Sequence, residues 1–321
     1  MSPLSAPAVT PTTVLRLGTR RSALAMAQAT LVAEALRAAG SHVELIGVTT
    51  EGDRSTGPLT EAGGTGVFVT QLRARLLDGG VDVVVHSLKD LPTEPAAGLE
   101  LAAVPPRADA RDALVARDGL TLSTLPTGAS VGTGSPRRAA QLLAVRPDLR
   151  ISPLRGNVDT RIGRVGPGGP AALDAIVVAA AGLVRLGRLD EATQLLGPDV
   201  MVPAPGQGAL AIECRAADVE SGGRLAGLLS PLDHPSSRAA VVAERALLAA
   251  LEAGCTAPVG AFAEVDPALN LHLVAVVVSV DGVTAIRGSA QGAATDAEGI
   301  GCRLAADLLT RGAGALMGTR Q

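Results

Sequence analysis

Residues 81–92, Val-Asp-Val-Val-Val-His-Ser-Leu-Lys-Asp-Leu-Pro, constrain the fold more than any other stretch of the chain. Val83, Val84 and Val85 form a β-branched run that suits a strand buried on both faces. Polar chemistry follows at once, with His86, Ser87, Lys89 and Asp90 at the carboxyl end, and Pro92 stops further regular pairing. Ligands of open α/β sheets sit beyond the carboxyl ends of the strands. Lys89 is the sole lysine of the chain, basic charge elsewhere being carried by arginine. On these residues alone, Lys89 and Asp90 read either as a solvated strand end or as part of a site.

The rest of the chain supplies more of the same architecture. Val14–Gly18 reads as a first strand, Leu24, Ala27, Leu31, Ala35 and Leu36 recur at helical spacing, and His42–Thr49 is a second strand. The glycine-rich stretch 51–66 has no period and is long for a connection, which suits a mobile, functional loop. A helix over Val67–Asp78 and a strand over Leu99–Val104 follow, and Pro105-Pro106 marks a candidate boundary. A second α/β set starts near Arg111. It has strands at Ser130–Thr133, Leu149–Pro153 and Asp174–Ala179, a helix capped by Ser135 with Pro136 at its first position, and a short helix at Leu183–Gly187. Met201–Gly208 is a linker by composition, and Ala209–Cys214 returns as a strand. Ser236–Ala253 is strongly helical. Strands at Val259–Val265, Leu271–Val280 and Thr284–Ser289, with Asp281-Gly282 as a hairpin turn, and a last helix over Asp296–Thr310 read as a small α+β domain.

Composition excludes several classes of function. The chain has 321 residues, enough for two or three domains, and 47% are hydrophobic. With no Trp or Tyr and only Phe68 and Phe262, stacking on nucleic-acid bases is unsupported. A net charge of −3 gives no global basic field, so anions must be recognised by local arginine clusters. Cys214, Cys255 and Cys302 are too few and too scattered for a disulfide framework, and the four histidines show no metal-ligand spacing, so no metal is expected. No apolar run of about 18 residues is present. Residues 1–13 lack the pattern of a signal peptide and read as a disordered tail, so the expectation is a soluble, cytoplasmic protein.

Two turns echo each other. Gly18-Thr19-Arg20-Arg21 and Gly132-Thr133-Gly134-Ser135-Pro136-Arg137-Arg138 both place a Gly-Thr turn and an arginine pair between a strand and a helix. Helix N-termini already carry partial positive charge, so arginines there read as anion sites, with an arginine-rich surface as the alternative. Arg155 and Arg161 lie on a third such turn. No phosphate loop, dinucleotide fingerprint or serine-hydrolase elbow is present. Asp90 is the candidate acid/base group, or a cap for the next turn, with Asp109 and Asp112 weaker. Cys214 and Cys302 read as core, whereas Cys255, after Gly254 at a helix end, is a candidate for covalent attachment.

Taken together these segments resemble the porphobilinogen deaminase (hydroxymethylbilane synthase) family from about Val14 to Thr310. The resemblance rests on Gly18-Thr19-Arg20-Arg21-Ser22, Gly63-Gly64-Thr65-Gly66-Val67-Phe68, Val85–Pro92, Arg111-Asp112-Ala113, Val131-Gly132-Thr133 with Arg137-Arg138, Leu154-Arg155-Gly156-Asn157-Val158 with Arg161, Ala181–Gly187, Pro205–Ala209 and Glu252-Ala253-Gly254-Cys255. It implies two periplasmic-binding-protein-like α/β domains flanking a cleft, plus a smaller C-terminal α+β domain. The expected division is 14–105 plus 207–228, 106–206, and 229–321. The resemblance also implies a transferase of tetrapyrrole biosynthesis that joins four porphobilinogens head to tail to hydroxymethylbilane with loss of ammonia. The reaction is primed on a dipyrromethane cofactor held by a thioether to Cys255.

By the same resemblance Asp90 is catalytic. Arg20, Ser22, Lys89, Asp90, Thr133, Ser135, Arg137, Arg138, Arg155, Gly156 and Arg161 hold the cofactor, while Arg20, Gln28, Arg155, Arg161 and Arg185 meet substrate. Acetate and propionate groups make that ligand polyanionic, which suits arginine forks. Family members often carry lysines in the glycine-rich loop, where this chain has Glu61 and Thr65. The partner implied is the small-molecule substrate alone, with neither nucleic acid nor membrane, and monomer is the default. The rival readings are a non-catalytic two-domain receptor for a small dicarboxylate and an inactive relative acting as an interaction module.

Overall fold

Three runs of short strands, each backed by helices with apolar faces, build three separate sheets. The computed structural model describes residues 14–50, 69–167, 172–220, 222–254 and 257–317. The 1–13 tail, the 51–66 loop with Glu61 and Thr65, and Cys255 lie outside the described residues. In chain order the strands are β1 (Leu15–Arg20), β2 (Val43–Val48), β3 (Val83–Ser87), β4 (Leu99–Ala103), β5 (Asp112–Ala116), β6 (Ser130–Gly132), β7 (Arg150–Ser152), β8 (Ala175–Ala179), β9 (Gln194–Leu196), β10 (Leu210–Arg215), β11 (Val259–Val265), β12 (Asn270–Val278) and β13 (Ala285–Ala293).

The first sheet has the order β2-β1-β3-β10-β4 and the second β7-β6-β8-β5-β9. In both, the first three strands pair parallel and the last two join antiparallel. The two sheets share one topology, a periplasmic-binding-protein-like layout. β1 and β6 hold the same place in each, but Gly18, Thr19 and Arg20, expected in a turn, extend β1 and pair with β2, so the first echo begins its turn only at Arg21. Both lead into helices, Ala23–Ala38 and Pro136–Val145, capped by Ser22 and Ser135.

The valine run behaves as its chemistry requires. Val83 and Val85 pack with Leu17, Val32, Leu36 and Ile212 on one face, and Val84 packs with Leu72, Leu76 and Val81 on the other. A fully buried aliphatic side chain contributes about 1.5–3 kcal/mol, so the run pins this strand at the centre of its sheet.

Several elements differ from the sequence reading. Strands β5 and β9 are additional to the sequence reading; β9 has only three residues, and β5 opens with a charged residue. The helices Ala217–Glu220 and Arg224–Leu229 are likewise additional, and the helix expected at Leu183–Gly187 spans Ala180–Arg185. Cys302, expected in the core, is exposed. The helix Ala297–Thr310 buries Ala297, Ile300, Gly301, Leu304, Ala305 and Leu308, a stripe whose phase leaves position 302 outside. Cys214 is buried, and burial pushes its thiol up to about 11.

The third sheet, β11-β12-β13, is antiparallel and carries the helices Pro235–Ala250 and Ala297–Thr310 over one shared core. It leans on the second sheet's helix through Val276 and Val278 against Ala140 and Val202.

The chain passes between the first two sheets twice, and the two crossings lie side by side. Ala108 N–H donates to Gly208 O at 3.3 Å, and Arg107 Nε donates to Gln207 O at 2.8 Å. Gly206 and Gly208 have φ of +74° and +87°. A Cβ at 206 would lie 2.3 Å from Leu88 Cδ2, and one at 208 would lie 2.5 Å from Ala108 O, so only glycine fits.

Glu244, fully buried on the Pro235–Ala250 helix, closes this joint. Its Oε1 accepts from Arg107 Nη1 at 2.6 Å and from Ala263 N at 2.7 Å, and its Oε2 accepts from Arg107 Nη2 at 3.1 Å and from Gly206 N at 2.6 Å. Glu244→Ala leaves Arg107 buried without its counter-charge. The expected loss is about 3–5 kcal/mol, read as a lower urea midpoint. A midpoint equal to the parent protein's would show that the joint does not depend on this pair.

Candidate functional site

Beyond β3 the chain makes a single 3₁₀ turn, Leu88–Asp90, closed by Leu91 N–H to Leu88 O at 3.0 Å. Leu88 is fully buried and anchors the turn, while Lys89 and Asp90 are half-buried. Arg245, on the Pro235–Ala250 helix, donates to Leu91 O at 2.9 Å and to Pro92 O at 2.7 Å, which fixes the exit of the turn.

Under the strand, Glu213 of β10 accepts from Arg73 Nη2 at 2.7 Å and lies 3.0 Å from His86 Nε2. Burial alone would raise the Glu213 pKa, but His86 and Arg73 bring it down to about 2.

Facing the turn from the second sheet is the Ser135–Arg138 segment. Ser135 caps its helix by accepting from Arg138 N at 3.4 Å, and Thr133 Oγ1 accepts from Ser135 N at 3.1 Å. Ser22 accepts from Ala25 N at 3.3 Å in the matching position of the first sheet. Each hydroxyl spends a lone pair on the backbone and keeps its proton to donate.

Arg137 and Arg138 are not bare cations at a helix end. Both are buried and converge on Asp112, which is fully buried at the start of β5. Arg137 Nη1 reaches Asp112 Oδ2 at 2.8 Å and Val202 O at 2.7 Å. Arg138 reaches Asp112 Oδ1 from Nη2 at 2.7 Å and from Nε at 3.0 Å, and Nη1 reaches Val177 O at 3.1 Å. Burial would raise the carboxyl pKa of Asp112, yet the two guanidinium groups hold it far below the usual range. Asp90 is therefore not the lone acid among these cations. Nothing within Arg111-Asp112-Ala113 signals this, since the two arginines lie 25 and 26 residues along the chain.

The remaining candidates gather unevenly. Arg161 Nε donates to Gly156 O at 2.8 Å, and its pKa is lowered to about 10 by burial and by Arg138, against the pull of Asp90, with Arg155 adding to the lowering. Arg155 has a buried Nη2 with no hydrogen-bond partner among the described residues. Lys89 Nζ lies 3.4 Å from Gln207 Oε1. Its pKa falls to about 8, from burial first and then Arg138, with Asp90 and Asp112 opposing and Arg137 adding to the fall. Asp90 thus couples to both Lys89 and Arg161, and its carboxylate takes no hydrogen bond among the described residues.

Arg20 is half-buried at the end of β1, whereas Arg21 is exposed and donates to Gly47 O at 3.1 Å. Gln28 is buried and exchanges hydrogen bonds with Ser87 at 2.9 and 3.1 Å. Arg185 donates to Gly208 O at 2.6 Å, tying the second sheet's helix to the crossing, and burial lowers its pKa to about 10.

Two like-built sheets bring cationic side chains and the Asp90 carboxylate, unbonded among the described residues, to facing strand ends, the framework of a protein class suited to anionic ligands. The chain matches the family description "Porphobilinogen deaminase, dipyromethane cofactor binding domain" over residues 15–222 and "Porphobilinogen deaminase, C-terminal domain" over residues 239–310. It is 61% identical over 305 residues to the porphobilinogen deaminase of Acidothermus cellulolyticus, covering 95% of this chain and 91% of that one. It is 53% identical over 310 residues to that of Thermobifida fusca, covering 94% and 95%. A periplasmic substrate-binding protein of an ABC transporter from Coxiella burnetii superposes on 68% of this chain and 91% of its own with TM-score 0.43 and 17% identity; the fold assignment rests on the strand orders above. The chain belongs to the porphobilinogen deaminase family, transferases of tetrapyrrole biosynthesis that work with a dipyrromethane cofactor.

The residues present fit such a group. Lys89, Arg138, Arg155 and Arg161 exceed the negative charge of Asp90 and Asp112, and Arg155 Nη2, buried and without a partner among the described residues, has room for an acceptor.

Because the folded pKa of Glu213 lies below its ordinary 4.5, the stability it contributes is complete above about pH 4.5 and is lost as pH falls through about 2. The expected difference in stability between the parent protein and Glu213→Gln is on the order of 2–3 kcal/mol at neutral pH, shrinking in acid. Denaturant midpoints against pH test this, and a difference that grows on acidification overturns the assignment.

Proposed function

We propose that this chain condenses four porphobilinogen molecules to hydroxymethylbilane through the residues gathered at the end of β3, with the dipyrromethane joined to Cys255. The observation that carries the assignment is Asp90, a carboxylate without a hydrogen bond among the described residues, coupled to Lys89 and Arg161 in an otherwise cationic cleft. Bound there, the dipyrromethane supplies the nucleophilic pyrrole end to which porphobilinogen is added.

The chain's own residues divide the remaining work by charge. Arg20, Arg138, Arg155 and Arg161, with Lys89 and the hydroxyl protons of Ser22, Thr133 and Ser135, hold acetate and propionate groups. Gly156 acts through its carbonyl, which sets the Arg161 fork. Arg137 joins these cations; like Arg138 it also supports Asp112, which takes Arg137 Nη1 and Arg138 Nε and Nη2. Gln28 and Arg185 complete the substrate contacts.

Asp90 accepts the pyrrole N–H of porphobilinogen. It offsets the positive charge that spreads into that ring as the protonated amine leaves as ammonia, and it then helps remove the proton that the ring carbon forming the new C–C bond must lose. A carboxylate is needed at this point because the other acid nearby, Asp112, is taken up by Arg137 and Arg138.

The same proposal assigns 14–105 plus 207–228 and 106–206 to the two lobes and 229–321 to the cofactor-carrying domain. It makes the chain a cytoplasmic monomer. Among the described residues no helix is long and apolar enough to cross a membrane. The dicarboxylate-receptor reading has no support from the family match.

Intact-mass measurement is the direct test: the parent protein is expected to carry an adduct the size of a dipyrromethane, absent in Cys255→Ser. A bare-polypeptide mass after exposure to porphobilinogen would sink the assignment. Asp90→Ala is expected to lower turnover by about 10²-fold or more, as for loss of a group that stabilises transition-state charge. Near-normal kcat would remove Asp90 from the chemistry.

A further inference from the structure

Gln207 lies on the crossing that returns the chain to the first sheet, fully buried between two glycines. It belongs to none of the residue roles assigned above, and by composition its segment reads as a linker. Yet its side chain is bonded at both ends. Nε2 donates to Ala110 O at 2.7 Å and to Asp112 Oδ1 at 2.8 Å. Oε1 lies 3.4 Å from Lys89 Nζ and 3.4 Å from Arg138 Nη2.

The orientation of the amide follows from chemistry. A carbonyl and an ionised carboxylate can only accept, and ammonium and guanidinium groups can only donate, so the flipped amide would lose all four contacts.

The partners come from different parts of the molecule. Lys89 is on the turn after β3 in the first sheet, Arg138 and Asp112 belong to the second, and Ala110 is on the outgoing crossing. We infer that Gln207 is a positioning residue of the site: its carboxamide fixes Lys89 and Arg138 against one another and against Asp112, so that the two cations from different sheets address one anionic group. The inference deepens the reading above and rests on it for the identity of that group.

A space-filling role and a positioning role make different demands on the side chain. Leucine fills much of the volume but accepts nothing from Lys89. Glutamate keeps an acceptor for Lys89 and Arg138, places a second oxygen against Ala110 O and Asp112, and adds a negative charge beside the two cations. Among the described residues, the charged groups that act on the Lys89 ammonium include Asp90 on its own turn, Arg137 and Arg138 on the Pro136–Val145 helix, and Asp112 on β5. None of these is altered in either variant.

Lys89 is the single lysine of the chain, so protein labelled with ¹³C-lysine gives one Cε resonance whose pH dependence reports this residue alone. The titrations are run in a Cys255→Ser background so that no protein differs in adduct. Gln207→Leu is expected to lower the Lys89 midpoint by about one pH unit, the size of one lost charge-assisted hydrogen bond, and Gln207→Glu to raise it above the parent value. With Cys255 intact, both variants are expected to acquire the adduct roughly tenfold more slowly by intact mass, and kcat/KM for porphobilinogen to fall by a similar factor.

One Lys89 midpoint shared by all three proteins, or adduct formation at the parent rate in both variants, overturns the inference. Should Gln207→Leu fail to fold, the upward shift in Gln207→Glu decides it alone. If the parent protein never carries an adduct, the dipyrromethane reading fails while the titrations still decide whether Gln207 sets Lys89.

Discussion

The buried carboxylate of Asp112 is the interaction on which the site depends. Two guanidinium groups and one carboxamide converge on it, from the helix after β6 and from the returning crossing. An ion cluster taken out of water is not an efficient source of stability, because desolvation cancels much of the Coulomb attraction. What it secures is geometry. Arg138 cannot swing away without leaving a buried charge uncompensated, so a cation at the cleft is held in one place before any ligand arrives. Preorganisation of this kind lowers the cost of binding a multiply charged molecule, since fewer side chains must be ordered on arrival.

The same economy runs through the two-sheet frame. β1 and β6 occupy equivalent positions, and each leads into a serine-capped helix, although Gly18-Thr19, read from the sequence as a turn, lies within β1 whereas Gly132-Thr133 marks the end of β6. The two ends are then used differently. Arg21 lies on the surface against Gly47 O, whereas Arg137 and Arg138 are drawn inside by Asp112. The difference follows from β5, whose first residue supplies a buried negative charge, while Glu213 in the first sheet's β10 is spent on Arg73 and His86 beneath β3. Similar turns acquire different chemistry from the one charged residue a neighbouring strand places nearby.

What was legible in the sequence was local. The valine run, the Ser135-Pro136 cap and the Asp281-Gly282 turn each follow from a few adjacent residues whose conformational preferences agree with the final fold. The elements that escaped are set by partners far along the chain. Asp112 reads as a weak acid/base candidate until Arg137 and Arg138 are seen to close on it. Gln207 reads as linker because glycine and proline surround it, and its four partners lie 69 to 118 residues away. Cys302 reads as core because cysteine usually is, but the phase of its helix decides otherwise. Composition states what a segment tends toward, and only the tertiary arrangement states which of its polar atoms are already occupied.

The use of arginine for every basic position but one has a consequence for how the cleft responds to alkalinity. Guanidinium groups keep their protons well above neutrality, and even the lowered values for Arg161 and Arg185 reach only about 10. Lys89, near 8, is the exception among the cleft's cations. Most of the positive field is therefore a fixed background, insensitive to the medium. Among the described cations of the cleft, the charge nearest neutrality is the neighbour of Asp90, so mild alkali dims the field beside that carboxylate first and leaves the arginine charges in place.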